Sequence, residues 1–200
     1  MNEPTDTVPR EAITGIAGGL MLMAIFTSIW ATIANAGLKG SDHHVALYGF
    51  GILVGAFFAG SIAVFKQAKN FPKATSAADI AIRKKSGIWF GVIFGAEGFL
   101  IFIAVNAVIN LGHPELVIPA IALVVGLHFY PMAKIFKRKI DYYLATWTTL
   151  IAITGIVLSL NKTFTETQAL AFVGIGTAVA TSCYGIYMLN YATKLIRQSL

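Results

Sequence analysis

Charged residues are almost absent from six long stretches of this chain, and this feature decides what it can fold into. The stretches are residues 12–38, 43–65, 86–114, 116–133, 142–161 and 167–193. Glu97 is the only Asp, Glu, Lys or Arg within them. A soluble domain carries charge on every element, amounting to about a quarter of its residues, whereas only 12% are charged here and 56% are hydrophobic. The sequence therefore predicts an all-α, polytopic transmembrane helix bundle and excludes a soluble or disordered protein.

Each stretch is long enough to cross a membrane. A hydrocarbon core about 30 Å thick is crossed by roughly 20 residues of helix. The chain is predicted to form a single transmembrane domain, residues 1–200, with spans at about 12–38, 43–65, 87–111, 115–134, 142–161 and 167–192. The loops between most of these spans are short, which favours six spans arranged as three antiparallel hairpins.

Lys and Arg residues lie mostly on one side of these predicted spans. Thirteen of the fifteen fall on the side that carries both termini, and only Lys39 and Lys162 fall on the other. Basic loops stay in the cytoplasm, so we predict a cytoplasmic tail at 1–11, a basic cytoplasmic loop at 66–86 and a cytoplasmic C-terminus. The net charge of +6 then indicates contact with anionic lipids of the bilayer, and no nucleic acid partner is expected.

The basic loop contains one further pattern. Ser76 and Asp79 have the spacing of a helix start, so residues 77–85 form either a short interfacial helix or a solvated loop.

Small residues recur at helical spacing within the spans. The stripes comprise Gly15 and Gly19 in span one, Gly51 and Gly55 in span two, Gly87, Gly91, Gly95 and Gly98 in span three, and Gly174 and Ala178 in span six. Small residues allow helices to approach closely in lipid. The stripes are therefore interpreted as packing faces, or alternatively as a seam along which helices slide or a solute passes. Their number also favours a homo-oligomer.

Glu97 and His128 form the one constellation that could carry chemistry. Glu97 lies 14 residues before Leu111, and His128 lies 14 residues after Pro114. In an antiparallel hairpin both would lie about 21 Å below the turn, at the same depth. A charge at mid-membrane costs at least about 2.5–3.5 kcal/mol, which makes these residues functional candidates.

Two other polar residues are predicted to join this pair, since Tyr130 lies near His128 in the sequence and the amide of Asn106 is expected to face protein. The site could shuttle protons or hold a cation. Alternatively, Glu97 is protonated or hydrogen-bonded and only locks spans three and four together.

A weaker metal hypothesis concerns the loops on the other side. Asp42, His43 and His44 precede span two, while His113 and Glu115 precede span four. Imidazole and carboxylate are metal ligands, but adjacent histidines do not easily bind one tetrahedral ion and no recognised ligand spacing is present. No metal site and no cofactor are predicted.

The run Gly126–Phe136, preceded by Gly95–Gly98, resembles a pattern in small six-helix bacterial integral membrane proteins of about this length, a group with no assigned function. The resemblance covers spans three and four. It implies the cytoplasmic membrane of a prokaryote, but it implies no activity, ligand or site residue.

Three functions are compatible with these features. The first is a transporter or channel for a small solute or ion that uses the Glu97–His128 site. The second is a non-transporting scaffold, accessory subunit or sensor, which would have a dry, packed interior and an exposed face of small residues. The third is a membrane enzyme acting on lipid with His128 as base, which would need a lateral opening near that residue. The sequence favours transport over enzymatic activity, because it contains no catalytic motif.

Overall fold

A computed structural model describes residues 8–73 and 76–198, leaving aside the side chains at 78, 79 and 82. Within these ranges there is no strand, and six long helices are present. They are α1 (Arg10–Leu38), α2 (Val45–Ala68), α3 (Ala77–Asn110), α4 (Val117–Phe136), α5 (Lys139–Leu160) and α6 (Glu166–Gln198), with a short 3₁₀ turn (Pro114–Leu116) before α4. Each of the six is long and apolar enough to span a membrane. The prediction of an all-helical protein with six such helices is confirmed.

The helices extend beyond the apolar stretches at the end where most of the Lys and Arg residues lie, which we name the basic end. The largest difference is in α3, which begins at Ala77 although its span was predicted from residue 87. Residues 77–85 are thus the first turns of α3 rather than a loop or a separate interfacial helix. Lys and Arg are good helix formers, so charge ends the apolar stretch without ending the helix. Residues 1–7 of the predicted tail lie outside the described part of the chain.

Helix α6 is the most buried element, and α1 packs more extensively on it than on any other helix. Two glycines allow this close approach. A Cβ on Gly174 would lie 2.5 Å from the backbone nitrogen of Ala34, and one on Gly37 would overlap the backbone of Ala171. The glycine in span six therefore has the packing role predicted for it.

Hydroxyl and indole groups link the helices within this core. Thr27 and Thr181 share a hydrogen bond of 2.9 Å between α1 and α6. The Ser61 hydroxyl on α2 donates to the carbonyl of Ala17 at 2.8 Å, and the Trp147 indole on α5 donates to the carbonyl of Gly176 at 2.9 Å. Such bonds add about 0.6 kcal/mol each in a membrane protein, so they fix the register of the helices more than they stabilise them.

Helix α3 lies at the edge of the bundle. Among the described residues it packs extensively only against α4 and the turn that precedes α4. A Cβ on Gly87, Gly91, Gly95 or Gly98 would have no atom within 4 Å. The expectation that this longest stripe packs against another helix is therefore wrong within one chain, because α3 turns a different face toward α4.

The two kinds of glycine are expected to respond differently to one added methyl group. The change Gly174→Ala places a Cβ against the α1 backbone, which cannot move without separating the two helices. We expect a loss of about 1–3 kcal/mol in unfolding free energy. The matched change Gly95→Ala adds the same group in open space and should cause no loss. Unfolding in mixed detergent micelles measures both, and equal losses would contradict the α1–α6 packing described here.

Candidate functional site

A deep cleft separates α3 from α1. Its walls come from these two helices and its floor from α4 and α6, and its volume is about 1100 Å³. The lining runs along α1 from Glu11 to Trp30 and along α3 from Arg83 to Ile101, or about 28 Å and about 27 Å of helix. The cleft therefore begins at the basic end and passes the middle of the bundle, but it stops well before Leu38 and Asn110, where the two helices end.

The Glu97–His128 pair lies in the wall of this cleft. Oε1 of Glu97 is 3.2 Å from Nδ1 of His128, and the exposed fraction of each side chain is 9%. The predicted contact between the two side chains, which rests on their equal distances from the turn, is thus confirmed. Its angles fall short of a hydrogen bond, and Nδ1 has no hydrogen-bond partner among the described residues. The pair is therefore in contact without being locked in one arrangement.

Aromatic rings surround the pair. The His128 ring lies 4.2 Å from the ring of Phe129 and 6.0 Å from that of Phe94, between centroids. Phe94 in turn lies 4.7 Å from Phe90 and 6.2 Å from Phe26 on α1. All four phenylalanines line the cleft. A ligand beside Glu97 would therefore meet ring faces and edges from α1, α3 and α4.

Tyr130 and Asn106 do not belong to this site. The Tyr130 hydroxyl is 3.1 Å from that of Thr146 on α5, so it faces the opposite side of α4. Asn106 is exposed and donates to the carbonyl of Phe102 in its own helix at 2.7 Å. The expectation that its amide faces protein is therefore wrong. The amide nitrogen donates a hydrogen bond within its own helix, so the side chain can lie on the outside of the bundle.

Two arginines line the basic end of the cleft, and each is paired with a carboxylate. Nη1 of Arg83 on α3 lies 2.9 Å from Oε2 of Glu11 on α1, which ties together the two walls. Nε of Arg138 lies 3.3 Å from Oδ2 of Asp141 on α5. The Arg138 guanidinium also stacks over the ring of Phe136 at 4.7 Å.

Sequence reasoning missed the Arg138–Asp141 pair. Asp141 is fully buried, although the sequence predicts that span five begins at residue 142 and leaves Asp141 outside it. One signal was available, since a basic and an acidic residue three positions apart at a helix start lie on the same face.

The metal candidates other than His43 have partners of their own. The Asp42 carboxylate accepts hydrogen bonds from the backbone N–H groups of His44 and Ala46 at the start of α2. These hydrogen bonds, above all the one from Ala46, lower the pKa of Asp42. His44 Nδ1 lies 2.7 Å from the Asn35 side-chain oxygen, while His113 pairs with Glu115 at 2.9 Å. No group of three or more potential metal ligands gathers within residues 8–73 and 76–198. These side chains stabilise the ends of helices.

The charge of the cleft is set by the protons on one pair. Since Arg83 and Arg138 are each paired with a carboxylate, the remaining charge among the described lining residues depends on Glu97 and His128. The pair carries −1 when Glu97 is ionised and His128 is neutral, zero after one proton is added and +1 after two are added. Loss or gain of a proton therefore changes what the cleft attracts.

No known protein family, curated protein or solved structure has significant similarity to this chain. Its function has to be inferred from the chemistry of the cleft itself.

Proposed function

We propose that this protein is a small membrane transporter whose solute binds in the cleft and whose Glu97–His128 pair couples solute movement to proton movement. The observation that carries the proposal is a buried titratable pair facing a cleft of about 1100 Å³ in the middle of an apolar bundle. Ionisable residues at this depth are costly and typically mark a pathway for an ion or a substrate. A volume of this size exceeds the range of typical small-molecule pockets, about 300–1000 Å³.

The proposal includes an orientation. Thirteen of fifteen Lys and Arg residues lie toward the basic end, which we assign to the cytoplasm together with both termini. The spans are then three antiparallel hairpins, and the cleft is reached from the cytoplasmic side of a prokaryotic cell membrane, where the basic residues meet anionic lipids. The open glycines Gly91 and Gly95 of α3, which do not line the cleft, support a homo-oligomer, because small residues allow a second copy to approach closely.

Two alternatives fit less well. A scaffold or accessory subunit is expected to have a dry, packed interior and an exposed face of small residues. The open glycines Gly91 and Gly95 fit the second expectation, but a cleft of about 1100 Å³ does not fit the first. An enzyme acting on lipid is favoured by one observation, the separation of α1 from α3 beside His128. However, the described residues that line the cleft include no Cys and no cluster of metal ligands, which leaves the hydroxyl groups of Ser86, Thr181 and Tyr184 as the candidate nucleophiles.

The transport proposal predicts that a solute gradient moves protons. Purified protein is placed in vesicles that contain a trapped pH indicator. Gradients of ethidium, naphthalene-2-sulfonate and 4-nitrophenyl glucoside, an aromatic cation, anion and neutral molecule, are then applied separately. At least one should move protons several times faster than in protein-free vesicles. Rates equal to those of empty vesicles for all three would contradict the proposal.

A further inference from the structure

We infer that the solute is a lipophilic organic cation, which the aromatic rings and the Glu97 carboxylate hold in the cleft and which is exchanged there for a proton. The inference rests on the proposed transport function and names its substrate class. Three observations carry it: the pairing of charges, the positions of the rings and the openness of the cleft between α1 and α3.

The charges favour a cation. Among the described residues, the titratable and charged side chains that line the cleft are Glu11, Arg83, Glu97, His128, Arg138 and Tyr184. Both arginines are paired with carboxylates, so neither offers an unpaired positive charge to an anion. Glu97 differs because its partner is an imidazole, which is neutral in one of its two protonation states. With His128 neutral and Glu97 ionised, the cleft carries one uncompensated negative charge deep inside an apolar environment, where a cation is strongly attracted.

The aromatic rings favour the same charge. A cation is attracted to the face of an aromatic ring within about 6 Å of its centroid. The bundle already uses this interaction, since the Arg138 guanidinium lies 4.7 Å from the Phe136 centroid and 5.6 Å from that of Tyr184. Both of these rings line the cleft, as do those of Phe26, Phe90 and Phe94. The rings next to Glu97 supply an apolar contact and an attraction to positive charge together, which suits an aromatic or alkylated cation.

The exchange balances without a covalent step. Ionised Glu97 and neutral His128 carry a net charge of −1, which one monovalent cation neutralises. When a proton binds to either side chain, the pair becomes neutral as a whole and the cation is released. One proton therefore replaces one cation, and no net charge moves across the membrane in a full exchange.

Two probes of nearly equal shape and opposite charge test this inference. Tetraphenylphosphonium and tetraphenylborate each carry four phenyl rings, so differences in their binding report charge. Equilibrium dialysis against the protein in lipid discs, with empty discs subtracted, should show the cation bound at least tenfold more tightly than the anion. Lowering the pH from 8 to 5 should weaken the binding of the cation at least tenfold, because protons then occupy the pair.

A matched pair of phenylalanine variants tests the role of the rings. Phe94 lines the cleft, whereas Phe99 lies on the same helix and is 64% exposed on the outside of the bundle. The change Phe94→Leu should weaken binding of tetraphenylphosphonium at least threefold, and Phe99→Leu should leave it unchanged. Since both changes remove one ring from α3, a general loss of helix stability would affect both variants.

The possible failures are distinct. Equal binding of both probes, or equal effects of the two leucine variants, would overturn the cation inference. Transport would still stand if naphthalene-2-sulfonate or the neutral glucoside drove protons in the vesicle assay. Conversely, tight and pH-dependent binding of tetraphenylphosphonium, with no proton movement by any solute, would support a cation site and overturn the transport function.

Discussion

The substitution Glu97→Gln is expected to reduce solute-driven proton movement to the rate of protein-free vesicles. Glutamine keeps the size and hydrogen-bonding capacity of the side chain but cannot bind and release a proton. Glu97 lies 3.2 Å from His128 in the wall of the cleft. Among the described residues this is the only buried lining pair in which both partners can gain or lose a proton near neutral pH, and the substitution removes its carboxylate. The measurement is the initial rate of the pH indicator signal in vesicles with equal amounts of protein.

Two controls separate this effect from damage to the fold. The change Glu115→Gln removes a carboxylate near the opposite end of the bundle, where its partner is His113, and should leave the rate unaltered. The change Glu97→Leu should lower the unfolding free energy by about 1–3 kcal/mol, because it removes the carboxylate that lies against the buried imidazole of His128. Full activity of Glu97→Gln would show that the pair only locks α3 to α4.

The largest effect on stability is expected from Arg138→Met. Asp141 is fully buried, and the Arg138 side chain supplies its nearby positive charge. Removing one partner of a buried ion pair leaves an uncompensated charge and costs about 3–5 kcal/mol. The stacking of the guanidinium on Phe136 is lost as well. The unfolding free energy, measured by titration with a denaturing detergent, should fall by this amount.

A second substitution distinguishes charge from packing in this region. The double variant Arg138→Met with Asp141→Asn carries no buried charge and should recover more than half of the lost stability. The change Lys134→Met, at an exposed position in the last turn of α4, should alter stability by less than about 0.5 kcal/mol. If Arg138→Met behaved like this control, Asp141 would have to be neutral in the folded protein.

The contact between Glu97 and His128 was predictable because it depends on translation along two helices. A helix rises by a constant 1.5 Å per residue, so equal distances from the Pro114 turn fix equal depths. The length and hydropathy of each apolar stretch also depend only on position along the chain, which explains why all six helices could be identified from the sequence.

The rotation of α3 about its axis was not predictable. An apolar helix that faces lipid on one side and protein on the other has no polar face to mark the difference. Asn106, Gly91 and Gly95 were therefore assigned to the protein interior, although they lie on the open side, while Gly87 and Gly98 border the cleft. The Arg138–Asp141 pair was missed for another reason, because charge was taken to mark the end of a span.

The separation of α3 from α1 has a mechanical consequence. The first part of α3, from Ala77 to Phe90, is an arm about 20 Å long. It ends where the Phe90 ring contacts the Phe136 ring on α4. The ion pair of Arg83 with Glu11 ties this arm to α1, and its side chains are 32% and 38% exposed. Such a pair contributes at most about 1 kcal/mol, little more than thermal energy, and dissolved salt weakens it. The Arg83–Glu11 ion pair therefore adds little to the hold between the basic ends of α1 and α3, and we expect its contribution to fall as ionic strength rises.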